Sequence, residues 1–170
     1  RDPALDLYGE DIEPPYTQTF LESYRTAQIE RNRKITAWVK HKLQELADKG
    51  RENEEFAFVT HGTMADPRWL DPAVDPNDRK PGWCYLGEPR IVNNGPVGLA
   101  RFSTLRSWLS QWSYDDANAD GPKSLEQVTK PLLVVGNSAD DACTPSHTQA
   151  LFGGVAHDNK EMHEIKGATH

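Results

Sequence analysis

An acidic turn and a histidine near the end of the printed sequence have the side chains needed for proton transfer. Asp140 and Asp141 follow an apolar run, and His170 lies further along the chain, after a second short predicted strand. A carboxylate hydrogen bonded to one imidazole nitrogen fixes the ring tautomer and stabilises the imidazolium ion. The other ring nitrogen is then free to take a proton from a nucleophile. Acid–base chemistry at these residues requires that the fold bring the two segments together.

Two predicted strands would position these side chains. Residues 131–136 are continuously apolar and are bounded by proline and glycine, which is typical of a strand buried on both faces. A helix is predicted over residues 144–153, with a proline in its first turn, and a second strand over residues 162–165. Strand, helix and strand at this spacing predict a βαβ unit with a parallel sheet. Because loops after neighbouring parallel strands meet at one sheet edge, we expect the acid and the histidine to lie close together.

These segments resemble the end of an α/β-hydrolase domain. In that superfamily the acid follows a buried strand and a glycine, with a proline a few places later, as in residues 131–145. The histidine follows the last strand in a Gly-x-x-His context, as in residues 167–170. The resemblance implies that His170 is general base and then general acid, and that an aspartate orients it. Similarity to the prolyl-oligopeptidase-like branch favours Asp140, whereas counting back from the proline favours Asp141, which stays an alternative.

Other interpretations of these residues remain open. Aspartates commonly cap turns, so Asp140 and Asp141 could have that role alone. Residues 56–67 superficially copy the acid turn, but no helix, strand and histidine follow them, so we assign them to another part of the fold. Cys143, beside the acid, is expected to be a small buried side chain. It is not expected to be a nucleophile, because no basic neighbour would lower its pKa.

The nucleophile of such an enzyme is missing from the sequence. The superfamily places it on a Gly-x-Ser-x-Gly elbow ahead of the acid and the histidine, and no serine here has that context. We therefore expect the nucleophile, a serine, upstream of residue 1, and we expect this chain alone to be inactive. The resemblance implies an α/β fold, a parallel sheet covered by helices. In it, residues 1–123 form a mostly helical cap and residues 124–170 form the last strands of the core.

The predicted cap contains several recognisable elements. A helical pattern runs over residues 18–49, with Thr17 as N-cap and Gly50 as the stop, and its charged middle is either a solvated face or a bend. A strand is predicted over residues 56–60, and residues 61–98 have the composition of a long loop. A short amphipathic helix is predicted from Phe102 onwards. The region also contains a group of aromatic residues: Trp69, Trp83, Tyr85, Phe102, Trp108 and Trp112. We expect Trp108 and Trp112 to be core anchors, and the alternative is that the group forms an apolar roof over a substrate.

Composition excludes some classes of protein and leaves the substrate open. The 170 residues carry a formal net charge of −7, which argues against nucleic-acid binding, and no apolar run is long enough to span a membrane. The expected partners are a small ester or acyl substrate and the missing N-terminal half of the hydrolase core. Neither a metal nor an organic cofactor is implied. Peptidase, epoxide-hydrolase or dehalogenase chemistry and a non-catalytic, partner-binding fragment are the alternatives.

Overall fold

A computed structural model of the chain describes residues 13–170, which group into two compact units. Of the described residues, the first unit contains 13–65 together with Val92–Ala119, and the second contains Asp66–Ile91 together with Asp120–His170. The units therefore divide the chain differently from the predicted cap and core, because Asp66–Ile91 packs with the C-terminal strands. Residues 1–12 of the predicted cap lie outside the described residues.

A single long helix dominates the first unit. Helix α1 spans Gln18–Asp48 without a break, so the charged middle of the pattern is not a bend. That middle is partly solvated: Arg33 is exposed, whereas Asn32 is half-buried and donates to the carbonyl oxygen of Trp112 at 2.8 Å. The Thr17 hydroxyl accepts a hydrogen bond from the Phe20 amide at 3.2 Å, which confirms the predicted N-cap. Gly50 has a φ of +67°, a left-handed conformation that favours glycine just after a helix. The predicted stop at Gly50 is thus also confirmed.

A two-stranded antiparallel sheet packs with this helix. Strand β1, Ala57–Val59, pairs with β2, Phe102–Thr104. The unit's core is a cluster of buried side chains on α1 and on the chain on either side of β2: Val39, Leu46, Ala100, Leu105 and Trp108. The predicted helix from Phe102 onwards is wrong at its start, because Phe102 pairs in the sheet. Thr104 and Ser107 form a capping box, so α3 begins at Leu105 and spans Leu105–Ser107, and a π-helical turn over Trp108–Trp112 follows.

The second unit contains the predicted βαβ arrangement. Strand β3, Leu132–Asn137, pairs in parallel with β4, Lys160–Ile165, and helix α5, Pro145–Gly154, connects them. The register runs from Leu132 opposite Lys160 to Asn137 opposite Ile165. The described chain has two further short α-helices, α2 at Pro89–Asn94 and α4 at Gly121–Leu125. The chain therefore mixes helices with small sheets, in agreement with the α/β class, and each described sheet has two strands.

The β3–β4 sheet is covered on one side by α5. Val134 is buried on that side, and an added Cβ at Gly136 would lie 3.1 Å from the Thr148 Cγ2 atom on α5. On the other face Leu133 is 60% exposed and Val135 is 49% exposed. The prediction that this strand is buried on both faces is wrong for the described chain, because a single helix packs against the two strands.

The C-terminal end of helix α5 lies close to helix α4. A Cβ added to Gly154 would lie 2.5 Å from the carbonyl oxygen of Pro122, whereas the neighbouring Gly153 faces open space. Glycine at position 154 therefore permits backbone contact between the two helices. Among residues 13–170, none of the helices has both the length and the apolar character needed to cross a lipid bilayer.

Candidate active site

The second unit brings Asp140 and His170 together at the carboxyl ends of its two strands. Nδ1 of His170 lies 3.2 Å from Oδ1 and 3.3 Å from Oδ2 of the Asp140 carboxylate. Asp140 is only 5% exposed, whereas the His170 side chain is 49% exposed. The acid that reaches the histidine is Asp140 and not the alternative, Asp141. The arrangement places a buried anion on one side of an imidazole that remains open to solvent.

Four hydrogen bonds join the end of β3 and its following loop to the end of β4 and its following loop. They are Asn137 Nδ2 to Thr169 O at 2.8 Å, Ser138 N to Ile165 O at 3.1 Å, Ala139 N to Ala168 O at 3.0 Å, and Gly167 N to Ser138 Oγ at 2.9 Å. Gly167 has a φ of +73°, so the turn that presents these groups favours glycine. These bonds join the two segments just ahead of Asp140 and His170 in the chain.

The Asp140 carboxylate also accepts hydrogen bonds from backbone amides of its own turn. Its Oδ1 atom accepts hydrogen bonds from the amides of Ala142 at 2.8 Å and Cys143 at 2.7 Å. The capping role considered from the sequence is therefore real, and it coexists with the contact to His170. Because backbone amides stabilise the buried carboxylate, its position beside the imidazole is fixed by several bonds and not by one.

A loop that the sequence assigned to the cap braces the acid turn. Asn77 Nδ2 donates to the carbonyl oxygen of Asp140 at 2.8 Å, and the Asp78 amide donates to that of Ser138 at 2.8 Å. The Ser138 hydroxyl in turn donates to Asp78 Oδ2 at 2.7 Å. Sequence reasoning missed both bracing residues, since they lie in a segment without periodicity. Ser138 is buried and fully engaged, so it is a structural residue of the acid turn.

Tyr85 packs against the candidate histidine. The two ring centroids are 5.4 Å apart and the ring planes are inclined by 54°. Burial raises the pKa of the Tyr85 hydroxyl, so this side chain is neutral. The expectation that Trp108 is a core anchor is confirmed, because its side chain lies in the buried cluster of the first unit, whereas Tyr85 contacts the ring of His170.

The exposure of the Cys143 side chain differs from the prediction. This side chain is exposed and not buried, and its Sγ, an Asp140 carboxylate oxygen and a His170 ring nitrogen all lie within 4.8 Å of one another. Partial burial of the sulfur and the negative charge of Asp140 raise the pKa of the Cys143 thiol. A raised pKa disfavours the thiolate, so the expectation that Cys143 is not an activated nucleophile agrees with its surroundings.

A second polar cluster fixes the start of α5. The Arg68 guanidinium donates to Thr144 Oγ1 at 2.8 Å and lies 2.8 Å from His147 Nε2. Asp75 accepts hydrogen bonds from the amide of Ser146 at 3.0 Å and from its hydroxyl at 2.6 Å. Burial and the positive charge of Arg68 lower the pKa of His147. Helix α5, which follows the acid turn, is thereby anchored to the loop that contains Arg68 and Asp75.

The second copy of the acid-turn pattern, residues 56–67, has a different structure. Its strand β1 pairs antiparallel with β2, and Asp66 accepts a hydrogen bond from the Arg68 amide as the N-cap of a 3₁₀ turn at Pro67–Trp69.

Comparisons with protein-family models, with curated proteins and with solved structures give no match for this chain.

Proposed function

We propose that Asp140 and His170 are the acid and the general base of a nucleophile–histidine–acid triad in a hydrolase that cleaves a carboxylic ester or a related acyl bond. The observation that supports this most is the buried Asp140 carboxylate at hydrogen-bond distance from Nδ1 of a half-exposed imidazole. Such a pair has little use in a purely structural turn, which the backbone amides of the turn already stabilise. It has the arrangement that proton transfer requires.

The proposed mechanism assigns one role to each ring nitrogen of His170. Asp140 holds the proton on Nδ1, so that Nε2 carries the free lone pair. As the nucleophile's hydroxyl oxygen attacks the acyl carbon, Nε2 takes its proton and Asp140 stabilises the imidazolium. The same proton then goes to the leaving alcohol, and an acyl-enzyme remains. In the second half, Nε2 takes a proton from the attacking water and returns it to the nucleophile's oxygen.

The proposed enzyme has the α/β-hydrolase fold, and part of that fold lies outside these residues. In it, β3 and β4 are the last two strands of a larger parallel sheet, and the nucleophile, a serine, is upstream. Support comes from the parallel register of the two strands and from the exposed apolar face at Leu133 and Val135. Parallel sheets are normally covered on both faces, so further chain is needed to cover this one. The substrate of the proposed enzyme is a small ester or acyl compound.

Substitution of the two residues in the longer protein that includes the upstream half tests this proposal. We expect His170→Ala and Asp140→Asn each to lower kcat/KM for a p-nitrophenyl ester by about a thousandfold or more. His163→Ala is the matched control, because His163 is an exposed imidazole on β4 and its loss should leave activity unchanged. Full activity in His170→Ala would rule out the triad, whereas no activity in the unsubstituted longer protein would favour the partner-binding alternative.

A further inference from the structure

The candidate site contains a third side chain that the proposed reaction does not use. Cys143 Sγ converges with a carboxylate oxygen of Asp140 and a ring nitrogen of His170, all three within 4.8 Å of one another. Cys143 is exposed and the His170 side chain is half exposed, so a small ion reaches both from solvent. These are one sulfur, one nitrogen and one oxygen ligand, each able to bind a divalent transition metal.

From this convergence we infer that Asp140, Cys143 and His170 form an inhibitory binding site for Zn²⁺. Zinc binds sulfur, nitrogen and oxygen donors tetrahedrally, which places its ligand atoms roughly 3.4–3.6 Å from one another. The His170–Asp140 contact of 3.2 Å is already close to that separation. The third ligand is on a side chain with a single rotatable torsion, so a small rotation of Cys143 brings its sulfur into place.

The backbone of the turn is preorganised for this geometry. The Asp140 carboxylate fixes the Cys143 amide at 2.7 Å, and hydrogen bonds between the two loops fix the approach of His170. When the ion binds, the Cys143 thiol releases its proton to solvent, and the resulting thiolate and the Asp140 carboxylate together balance the charge of the ion. Imidazole completes a three-ligand set. Hard cations such as Mg²⁺ prefer all-oxygen sites, so the mixed donor set favours Zn²⁺. The fourth position remains for water.

Metal binding at this site would oppose the proposed reaction. If Nε2 binds the ion, the general base loses its lone pair. If Nδ1 binds it, the hydrogen bond to Asp140 is lost. Binding itself depends only on the three ligands, whereas inhibition rests on the proposed function of the Asp140–His170 pair. The ion is thus a regulator of the site and not a cofactor of the reaction.

The first test measures binding without reference to activity. The reduced protein is titrated with Co²⁺, whose thiolate complexes absorb in the near ultraviolet, and with Zn²⁺ in competition with a chromophoric chelator. We expect one equivalent of each metal, a cobalt–thiolate band, and displacement of Co²⁺ by Zn²⁺. Cys143→Ser should remove the band and weaken Zn²⁺ binding by about tenfold or more. Because Cys143 is exposed, this variant is expected to fold.

Two variants control for non-specific binding. Cys84→Ala removes the buried thiol and His163→Ala removes an exposed imidazole, and both should keep the cobalt band and the wild-type affinity. Equal Zn²⁺ affinity in the wild type and in Cys143→Ser would overturn the inference, as would a cobalt complex without a thiolate band.

The second test separates the inference from the proposed function. In the longer protein, Zn²⁺ should inhibit ester hydrolysis by the wild type, and Cys143→Ser should need about tenfold more Zn²⁺ for the same inhibition. A cobalt–thiolate band without any hydrolase activity would retain the metal site and overturn the proposed function. Hydrolysis that depends on His170 but is unaffected by saturating Zn²⁺ would retain the function and overturn the inhibitory role.

Discussion

His147 illustrates how a single titratable side chain in the second unit depends on its neighbours. The Arg68 guanidinium can only donate, so His147 Nε2, 2.8 Å away, accepts the hydrogen bond and the ring is neutral. Partial burial and the charge of Arg68 both lower its pKa from the ordinary value of 6.5. In the unfolded chain this cost of protonation is absent. Proton uptake by His147 therefore favours unfolding.

This gives a prediction for the pH dependence of stability. Between pH 6.5 and the lower folded-state pKa of His147, the unfolded chain binds more protons than the folded one, so stability decreases as the pH falls. In His147→Gln the amide oxygen still accepts from Arg68 but does not titrate, so we expect a smaller loss of stability. Urea unfolding at about pH 7.5 and about pH 5.5 measures the difference. His163→Gln is the control, and an equal pH dependence in all three proteins would contradict the prediction.

At the scale of elements, the contact between α4 and α5 depends on which of two adjacent glycines faces the partner helix. Gly154 lies against the backbone of Pro122, where a Cβ would come within 2.5 Å of the carbonyl oxygen. Gly153 points into open space. The same substitution at the two positions should therefore have opposite effects.

We expect Gly154→Ala to destabilise the protein by about 1–3 kcal/mol, because the new methyl group forces the two helices apart. Gly153→Ala should be neutral or should stabilise it by up to about 1 kcal/mol, since alanine is the better helix former. Chemical denaturation of both variants beside the wild type measures the two changes. A destabilisation of similar size at both positions would indicate that helix termination, and not helix contact, determines the effect.

Sequence patterns predict the elements that have a regular repeat, together with the residues directly after them. The apolar run before Gly136, the helix pattern after it and the short strand pattern before Gly167 predict the parallel βαβ unit and the proximity of Asp140 and His170. The bracing by Asn77 was not predictable, because an irregular loop held by side-chain hydrogen bonds has no periodicity. The exposure of Cys143 was missed for a related reason, since it depends on the direction in which the turn presents its side chain.

At the scale of the whole molecule, the absence of a Gly-x-Ser-x-Gly elbow in the sequence leads to a labelling prediction. A fluorescent fluorophosphonate reacts with activated serines, so the 19.1 kDa chain alone should remain unlabelled. The longer protein should be labelled, and His170→Ala should abolish the label. A gel with intact-mass spectrometry measures both outcomes. Labelling of a serine within this chain would show that the nucleophile is not upstream, and an unlabelled but active longer protein would point to an aspartate nucleophile.

The hydrogen bonds between the loops after β3 and β4 also determine how the site opens. The Ser138 and Ala139 amides donate to the carbonyl oxygens of Ile165 and Ala168, and the Gly167 amide donates to the Ser138 hydroxyl. Their deuterium exchange therefore requires separation of the two strand ends, which is a sub-global unfolding event of the βαβ unit. Asp140 and His170 accordingly belong to one cooperative block. The pair is lost when that block melts and re-forms when it refolds, even if helix α1 stays folded throughout.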